Sequence, residues 1–96
     1  MKPRRIRWTM RALRRLDEIG AYVENDDPAA AARVIARIVC AVDLLSDMPA
    51  AGRIGRIPGT REIVLSDIPY IIPYRVRQDI EILTVMHASQ KWPTRL

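Results

Sequence analysis

The sequence has few residues that could cross-link the chain or hold a metal. Cys40 is its only cysteine and His87 its only histidine, which excludes an internal disulfide, a multi-cysteine zinc site and a multi-histidine metal site. No apolar stretch approaches the ~20 residues needed to cross a bilayer. Residues 1–5 are basic and lead into a polar segment, not into the apolar region of a secretory signal. We therefore expect a cytoplasmic protein with no metal, no cofactor and no membrane partner, and we expect Cys40 to be a small buried residue.

The chain is long enough for one domain, which we expect to span residues 1–96. Hydrophobic residues make up 49% of the sequence, which is typical of a globular protein and not of a disordered one. A chain of this length buries only ~60–65% of the surface that its unfolded form exposes. The sequence therefore excludes a catalytic domain combined with a second binding domain.

The charge is strongly basic and is carried by arginine. The formal net charge is +5, and fourteen of the sixteen basic residues are arginines. The first fifteen residues hold seven cations and no anion. Arginine binds phosphate or carboxylate through a planar fork. This balance favours an anionic partner, either nucleic acid or an acidic protein, and solubility alone is the other explanation.

The first half of the chain predicts a strand followed by two amphipathic helices. Residues 4–8 alternate as a strand does, and Thr9 follows at the position of a helix N-cap. The spacing of apolar residues predicts one helix over 10–24 and a second over about 29–45, with Asp27 as the second N-cap. The short break between the helices indicates an αα-hairpin that needs a sheet to cover its apolar face.

The second half predicts that sheet. Turn residues dominate 46–60, and strands are predicted over 61–65, 70–76 and 80–87, the last being central because it is apolar on both faces. Pro73 removes a ladder donor, so it indicates an edge strand or a bulge. The predicted order is β-α-α-β-β-β. We expect an α+β fold in which the two-helix hairpin packs on a small, antiparallel-rich sheet.

A series of short motifs runs through nearly the whole chain. They are Trp8, Ala12–Ile19, Tyr22, Asn25–Pro28, Ala31–Ala32, Ile38, Leu45, Pro49, Gly52–Arg53, Gly59–Glu62, Pro69–Tyr70, Tyr74–Val76, Ile80–Leu83 and Val85–His87. Their order and spacing resemble the toxins of the RelE/ParE superfamily, which are the growth-inhibiting half of type II toxin–antitoxin pairs. The resemblance implies either of two activities, because RelE-like members cleave messenger RNA without a metal and ParE-like members poison DNA gyrase.

The departures from the RelE-like pattern favour the ParE-like activity. RelE-like enzymes carry an arginine directly after the tyrosine of the penultimate strand, whereas Ile71 follows Tyr70 here. The lysine-rich positions of the preceding strand are matched here by Glu62 and Val64. These residues take away much of the cationic cradle that metal-free RNA cleavage needs. The resemblance therefore implies a gyrase poison.

A ribosome-dependent or free messenger-RNA endonuclease is the alternative. Its catalytic residues would be His87, as general acid or base, with Arg61 and Arg75. Each also has a structural interpretation. His87 would be a hydrogen-bonded residue at a strand end, and Arg61 and Arg75 would be ion-pair or surface residues, with Asp79 or Glu81 as the partner of Arg75. A third class is a degenerate antitoxin-binding module without toxicity.

The resemblance also implies a cognate antitoxin, and therefore a hetero-oligomer. The C-terminal segment of such a partner folds around the toxin, with a helix along the hairpin and often a strand added to the sheet. These segments tend to be acidic. The exposed faces of the two helices carry Arg11, Arg14, Arg33 and Arg37, which would complement that charge. Solvated helix faces are the other explanation of these four residues.

Overall fold

The structure, a computed structural model, describes residues 3–96. These residues form two helices that pack on a mixed sheet. The helices are α1 (Met10–Glu24) and α2 (Pro28–Asp43), and a short 3-10 helix (Leu44–Ser46) follows α2. The strands are β1 (Ile6–Trp8), β2 (Arg53–Ile54), β3 (Arg61–Val64), β4 (Tyr70–Val76), β5 (Ile80–Ile82) and β6 (Met86–His87).

Both helices begin at the predicted N-caps. The Thr9 hydroxyl accepts a hydrogen bond from the Ala12 amide at 3.2 Å. The Asp27 carboxylate accepts from the Ala29 and Ala30 amides at 3.1 and 3.2 Å. Each side chain therefore satisfies amides that lack an intrahelical partner, which fixes where each helix starts.

The sheet has the strand order β1-β5-β4-β3-β2. The first strand runs parallel to β5, and the other pairs are antiparallel. Strand β6 continues beyond β5 and pairs with the start of β4. The predicted α+β class and the helical hairpin on an antiparallel-rich sheet are confirmed.

The final strand differs from its prediction. It was expected to be continuous over 80–87, but β5 ends at Ile82 and β6 begins at Met86. On β4, Tyr74 pairs with Ile82 and Ile71 pairs with Met86. The two β4 residues are three positions apart, whereas their partners are four positions apart. The extra residue makes a β-bulge next to Pro73, whose carbonyl accepts from the Leu83 amide at 3.0 Å. Of the two outcomes expected for this proline, the bulge is correct and the edge is wrong, because β4 lies inside the sheet.

Two further elements of the structure were not predicted. The segment 46–60 contains the short strand β2 in addition to its turns. The last predicted turn of the second helix forms the 3-10 helix, because α2 ends at Asp43.

The core lies between the hairpin and one face of the sheet. It is built from apolar residues of both layers, among them Ala12, Ile19, Ile38, Val42, Leu45, Ile72, Tyr74, Ile80 and Ile82. Cys40, expected to be buried, is exposed. The reason is the helical period, because the buried positions of α2 at Ile38, Ala41 and Val42 leave residue 40 on the outer side. Within residues 3–96, neither helix is long and apolar enough to span a bilayer.

Candidate functional site

The three residues considered for RNA cleavage lie at different places on the sheet. His87 ends β6 opposite Tyr70, at the start of β4. Arg75 lies five positions further along β4, which corresponds to about 16 Å. Arg61 lies on β3 opposite Tyr74. The register therefore sets Arg61 and Arg75 at the same end of the sheet but on opposite faces, because Arg61 shares the face of Tyr74, and it leaves His87 at the other end.

His87 borders an open cleft between α1 and the sheet. Its Nδ1 accepts a hydrogen bond from the Ser89 amide at 3.1 Å, so the neutral ring carries its proton on Nε2. The Tyr70 ring stands edge-on at 5.5 Å between centroids. The cleft has a volume of about 450 Å³ and is lined by Arg15, Glu18, Ile19, Tyr22, Tyr70, His87 and Ser89. Among the described residues, no hydrogen bond joins the His87 ring to a carboxylate or a guanidinium.

The Arg61 guanidinium is engaged in holding a loop. It donates to the Gly52 carbonyl at 2.8 Å. The buried Tyr74 hydroxyl donates to the Pro49 carbonyl at 2.7 Å and accepts from the Gly52 amide at 2.9 Å. Burial raises the pKa of the Tyr74 phenol. Arg61 and Tyr74 together fix the chain before β2, which is a structural task.

Glu62 provides an anion at a position where the nuclease pattern requires a cation. Its side chain is fully buried and accepts from Arg53 Nε and Nη2 at 3.0 and 2.9 Å. Its second oxygen accepts from the Arg56 amide at 2.8 Å. The Arg56 guanidinium in turn lies 4.2 Å from the Trp92 ring centre, which is a cation–π contact with the C-terminal tail. The carboxylate therefore organises the loop after β2.

Three arginines lie close to a second acidic residue, Glu81 on β5, on the face of the sheet opposite the helices. Arg7 on β1 donates to its carboxylate, while Arg75 and Arg77 place Nη1 at 3.8 and 4.0 Å from Oε1. The hydrogen bond from Arg7 is the main reason that the pKa of Glu81 is lowered. Sequence reasoning named the pair with Arg75 and missed the other two. The parallel register of β1 and β5, which sets Arg7 opposite Glu81, was the signal needed.

The four arginines considered for antitoxin binding fall into two pairs. Arg11 and Arg14 on α1 are exposed. On α2, Arg33 lies 3.8 Å from Asp27. Arg37 donates to both oxygens of Asp67 at 2.7 and 3.1 Å, and these bonds raise the pKa of Arg37 and lower that of Asp67. The two arginines on α2 therefore have acidic neighbours within the chain.

A shallow apolar groove runs along the helical hairpin. Its volume is about 630 Å³. Small residues form much of its floor, and the whole lining is Gly20, Glu24, Pro28, Ala31, Ala32, Ile35, Ala36 and Val39. An open groove of this composition suits the apolar stripe of a partner helix. Within residues 3–96, no group of three or more acidic, histidine or cysteine side chains could hold a metal ion.

Comparisons with known proteins agree on one family. The model of the ParE toxin of type II toxin–antitoxin systems, parDE, matches residues 6–92. The chain is 72% identical over 93 residues to a protein of Sinorhizobium fredii described as "Putative toxin Y4kP", with 97% of each chain covered. It is 36% identical over 84 residues to the toxin RelE2 of Caulobacter vibrioides, covering 86% of this chain and 93% of the other. A solved structure described as the chromosomal ParDE TA system from P. aeruginosa has a TM-score of 0.84 at 29% identity, covering 90% and 97% of the two chains.

Proposed function

We propose a function that starts from one established point: this chain belongs to the ParE toxin family of type II toxin–antitoxin systems. It is the toxin component of such a system, and family membership implies an antitoxin partner. The proposal concerns what the toxin acts on. It inhibits growth in the cytoplasm by poisoning DNA gyrase.

The observation that carries the proposal is the buried Glu62. Cleavage of RNA without a metal needs cations to stabilise the charge on the phosphorane. At this position the chain has a carboxylate whose oxygens accept hydrogen bonds from Arg53 and from a backbone amide. The neighbouring departures are apolar residues: Ile71, which is buried, and Val64, which is exposed. These residues support a toxin that binds its target and does not cleave RNA.

Messenger-RNA cleavage is the second candidate, and one observation favours it. His87 borders an open cleft with its Nε2 free of any hydrogen bond among the described residues, so that nitrogen could exchange a proton with a substrate. In this alternative Arg61 and Arg75 act with His87. Along the strand, about 16 Å separate Arg75 from the position of His87. This distance argues against a single catalytic centre formed by His87, Arg61 and Arg75.

The antitoxin of this proposal is an acidic chain whose C-terminal helix lies in the hairpin groove. The groove supplies the apolar contact, and arginines elsewhere on the two helices, none of which lines the groove, supply charge complementarity. Arg11 and Arg14 are exposed and free to meet a carboxylate. Arg33 and Arg37 take part by exchanging or sharing their intrachain acidic partners.

The test uses toxin that has been released from its antitoxin, and it distinguishes DNA gyrase from messenger RNA as the target. One arm measures supercoiling and trapped DNA cleavage by purified gyrase on a plasmid, and the other measures message cleavage on translating ribosomes. Gyrase inhibition with intact message is the expected result. Message cleavage that disappears in His87→Ala would overturn the proposal in favour of the nuclease. Inactivity in both arms, with antitoxin binding intact, would indicate a module without toxicity.

A further inference from the structure

The sheet face that points away from the helices carries a compact cationic cluster. We define the arginine cluster as Arg7, Arg75 and Arg77 together with Glu81. Strand β5 lies between β1 and β4, so Arg7 and Arg75 flank Glu81 from its two sides, with their backbones about 10 Å apart. Arg77 lies just beyond β4, and its carbonyl accepts a hydrogen bond from the Arg4 guanidinium, which brings a further cation to the same end.

The cluster holds more positive charge than its carboxylate neutralises. Three guanidinium groups surround one carboxylate, which leaves a net charge of +2. Arg7 is the hydrogen-bonded partner. The distances of 3.8 and 4.0 Å from Arg75 and Arg77 are too long for hydrogen bonds, so the N–H groups of these two residues are available to an external acceptor. The Arg77 side chain is 64% exposed, that of Arg7 is 50% exposed and that of Arg75 is 26% exposed, so Arg77 is the most accessible of the three.

The excess of positive charge has no acidic partner within the cluster. Arg7 and Arg75 each lie directly opposite Glu81, on the two strands that flank β5, and such opposite-charge pairs stabilise a sheet. One carboxylate can neutralise only one of the three cations. An anion with several acceptors would neutralise the remaining charge.

We infer that the arginine cluster is a docking surface for the phosphate backbone of duplex DNA. Guanidinium groups bind phosphates bidentately and release counterions when they do so. Proteins that hold single strands add exposed aromatic rings on which bases stack. Among the described residues the exposed aromatic side chain is Tyr22, and it lies on α1 and not on this face. The inference rests on the proposed function in one respect, since a gyrase poison acts beside duplex DNA.

The experiment measures binding of the released toxin to a fluorescent 20-base-pair duplex by anisotropy over a range of salt concentrations. The test variant is Arg75→Gln/Arg77→Gln, which keeps Arg7 as the partner of Glu81. The matched control is Arg11→Gln/Arg14→Gln, which removes the same charge from exposed positions of α1. A third variant, Glu81→Gln, adds one unit of positive charge to the cluster. Thermal melting of each variant checks that it is folded.

The test double variant should bind the duplex about tenfold or more weakly, with a salt dependence shallower by about two contacts, while the control changes affinity by less than about twofold. Glu81→Gln should bind more tightly than the unaltered chain. Equal losses in the two double variants would mean general charge attraction and would overturn the inference, as would tighter binding to single-stranded DNA or RNA of the same length. Gyrase assays run in parallel keep the two proposals apart. If gyrase is not inhibited but the duplex is still bound, only the proposal of gyrase as the target is contradicted.

Discussion

The hydroxyl of Tyr74 and the amide of Gly52 lie 2.9 Å apart in a buried hydrogen bond between the middle of the sheet and the loop before β2. The same hydroxyl donates to the Pro49 carbonyl, so one phenol satisfies two backbone groups. Tyr74 is fully buried. The loop is therefore tied to the core and is not a free connection.

Replacing Tyr74 by phenylalanine should destabilise the protein without disturbing the shape of the core. The change leaves the Gly52 amide and the Pro49 carbonyl without their partner, which costs about 1–3 kcal/mol. Urea denaturation of the two proteins measures the difference. Tyr22→Phe is the matched control, because Tyr22 is 73% exposed and should change the free energy of unfolding by no more than about 0.5 kcal/mol. Equal effects of the two changes would contradict the assigned role of the hydroxyl.

Two glycine-to-alanine changes should have opposite signs. A Cβ at Gly52 would lie 2.6 Å from Tyr74 Cε1 and 2.7 Å from the Glu62 carbonyl oxygen, so Gly52→Ala should destabilise the fold by about 3 kcal/mol. A Cβ at Gly20 would lie at an ordinary 3.5 Å from Ile35 Cδ1. Gly20→Ala should therefore stabilise the protein by up to about 1 kcal/mol through helix propensity. Thermal and urea unfolding of both variants check the signs, and a destabilised Gly20→Ala would show that the hairpin packs more tightly than described.

The ion pair of Glu62 should matter more than an exposed pair. Arg53→Ala leaves a fully buried carboxylate with one backbone amide as its remaining partner, and we expect a loss of about 1–3 kcal/mol. Arg33→Ala removes an arginine whose distance to Asp27 is 3.8 Å, with both side chains largely exposed, and should cost less than about 1 kcal/mol. Denaturant titration of both variants gives the comparison. Similar small losses would show that water reaches Glu62.

Acid should weaken the contact between Arg7 and Glu81. The pKa of Glu81 is lowered in the folded state, chiefly by the Arg7 hydrogen bond, so its stabilising effect is present above the unfolded value of 4.5. That stabilisation is lost as the pH falls through the lower folded value. Unfolding midpoints measured between about pH 6 and pH 3 should fall less steeply in Glu81→Gln than in the unaltered chain. Arg7→Gln/Glu81→Gln should behave like Glu81→Gln, and an unchanged slope in both would contradict the pairing.

The hairpin groove gives a direct test of where the antitoxin binds. Ala32→Glu places a carboxylate in the lining of the groove, where it would block an apolar contact and repel an acidic segment. We expect at least about a tenfold loss of affinity for the antitoxin in a titration. Ala29→Glu is the control, since Ala29 is exposed on the same helix and does not line the groove. Unchanged binding by Ala32→Glu would place the antitoxin elsewhere.

Local features of the fold could be predicted from the sequence, because they depend on neighbouring residues. The N-caps at Thr9 and Asp27 and the period of α1 are of this kind. The predicted burial of Cys40 was wrong because a single residue type was weighed above its phase on the helix. The bulge opposite Pro73 could be stated only as one of two outcomes, since the choice depends on which strands lie on each side of β4.

The candidate sites were less accessible to sequence reasoning. The separation of His87 from Arg75 follows from the register of β4 with β5 and β6, which no local pattern encodes. The arginine cluster likewise depends on a parallel pairing between the two ends of the chain. Glu62 was recognised as a departure from the nuclease pattern, but its burial and its bond to Arg53 became visible only in three dimensions.

The pairing of β1 with β5 also sets when the sheet can be completed during synthesis of the chain. Arg7 and Glu81 are 74 positions apart in the sequence, so the first strand has no partner until nearly the whole chain has left the ribosome. Contacts between such distant segments form late, because the long connecting loop must be closed first. We therefore expect β1 to be the last strand to join the sheet.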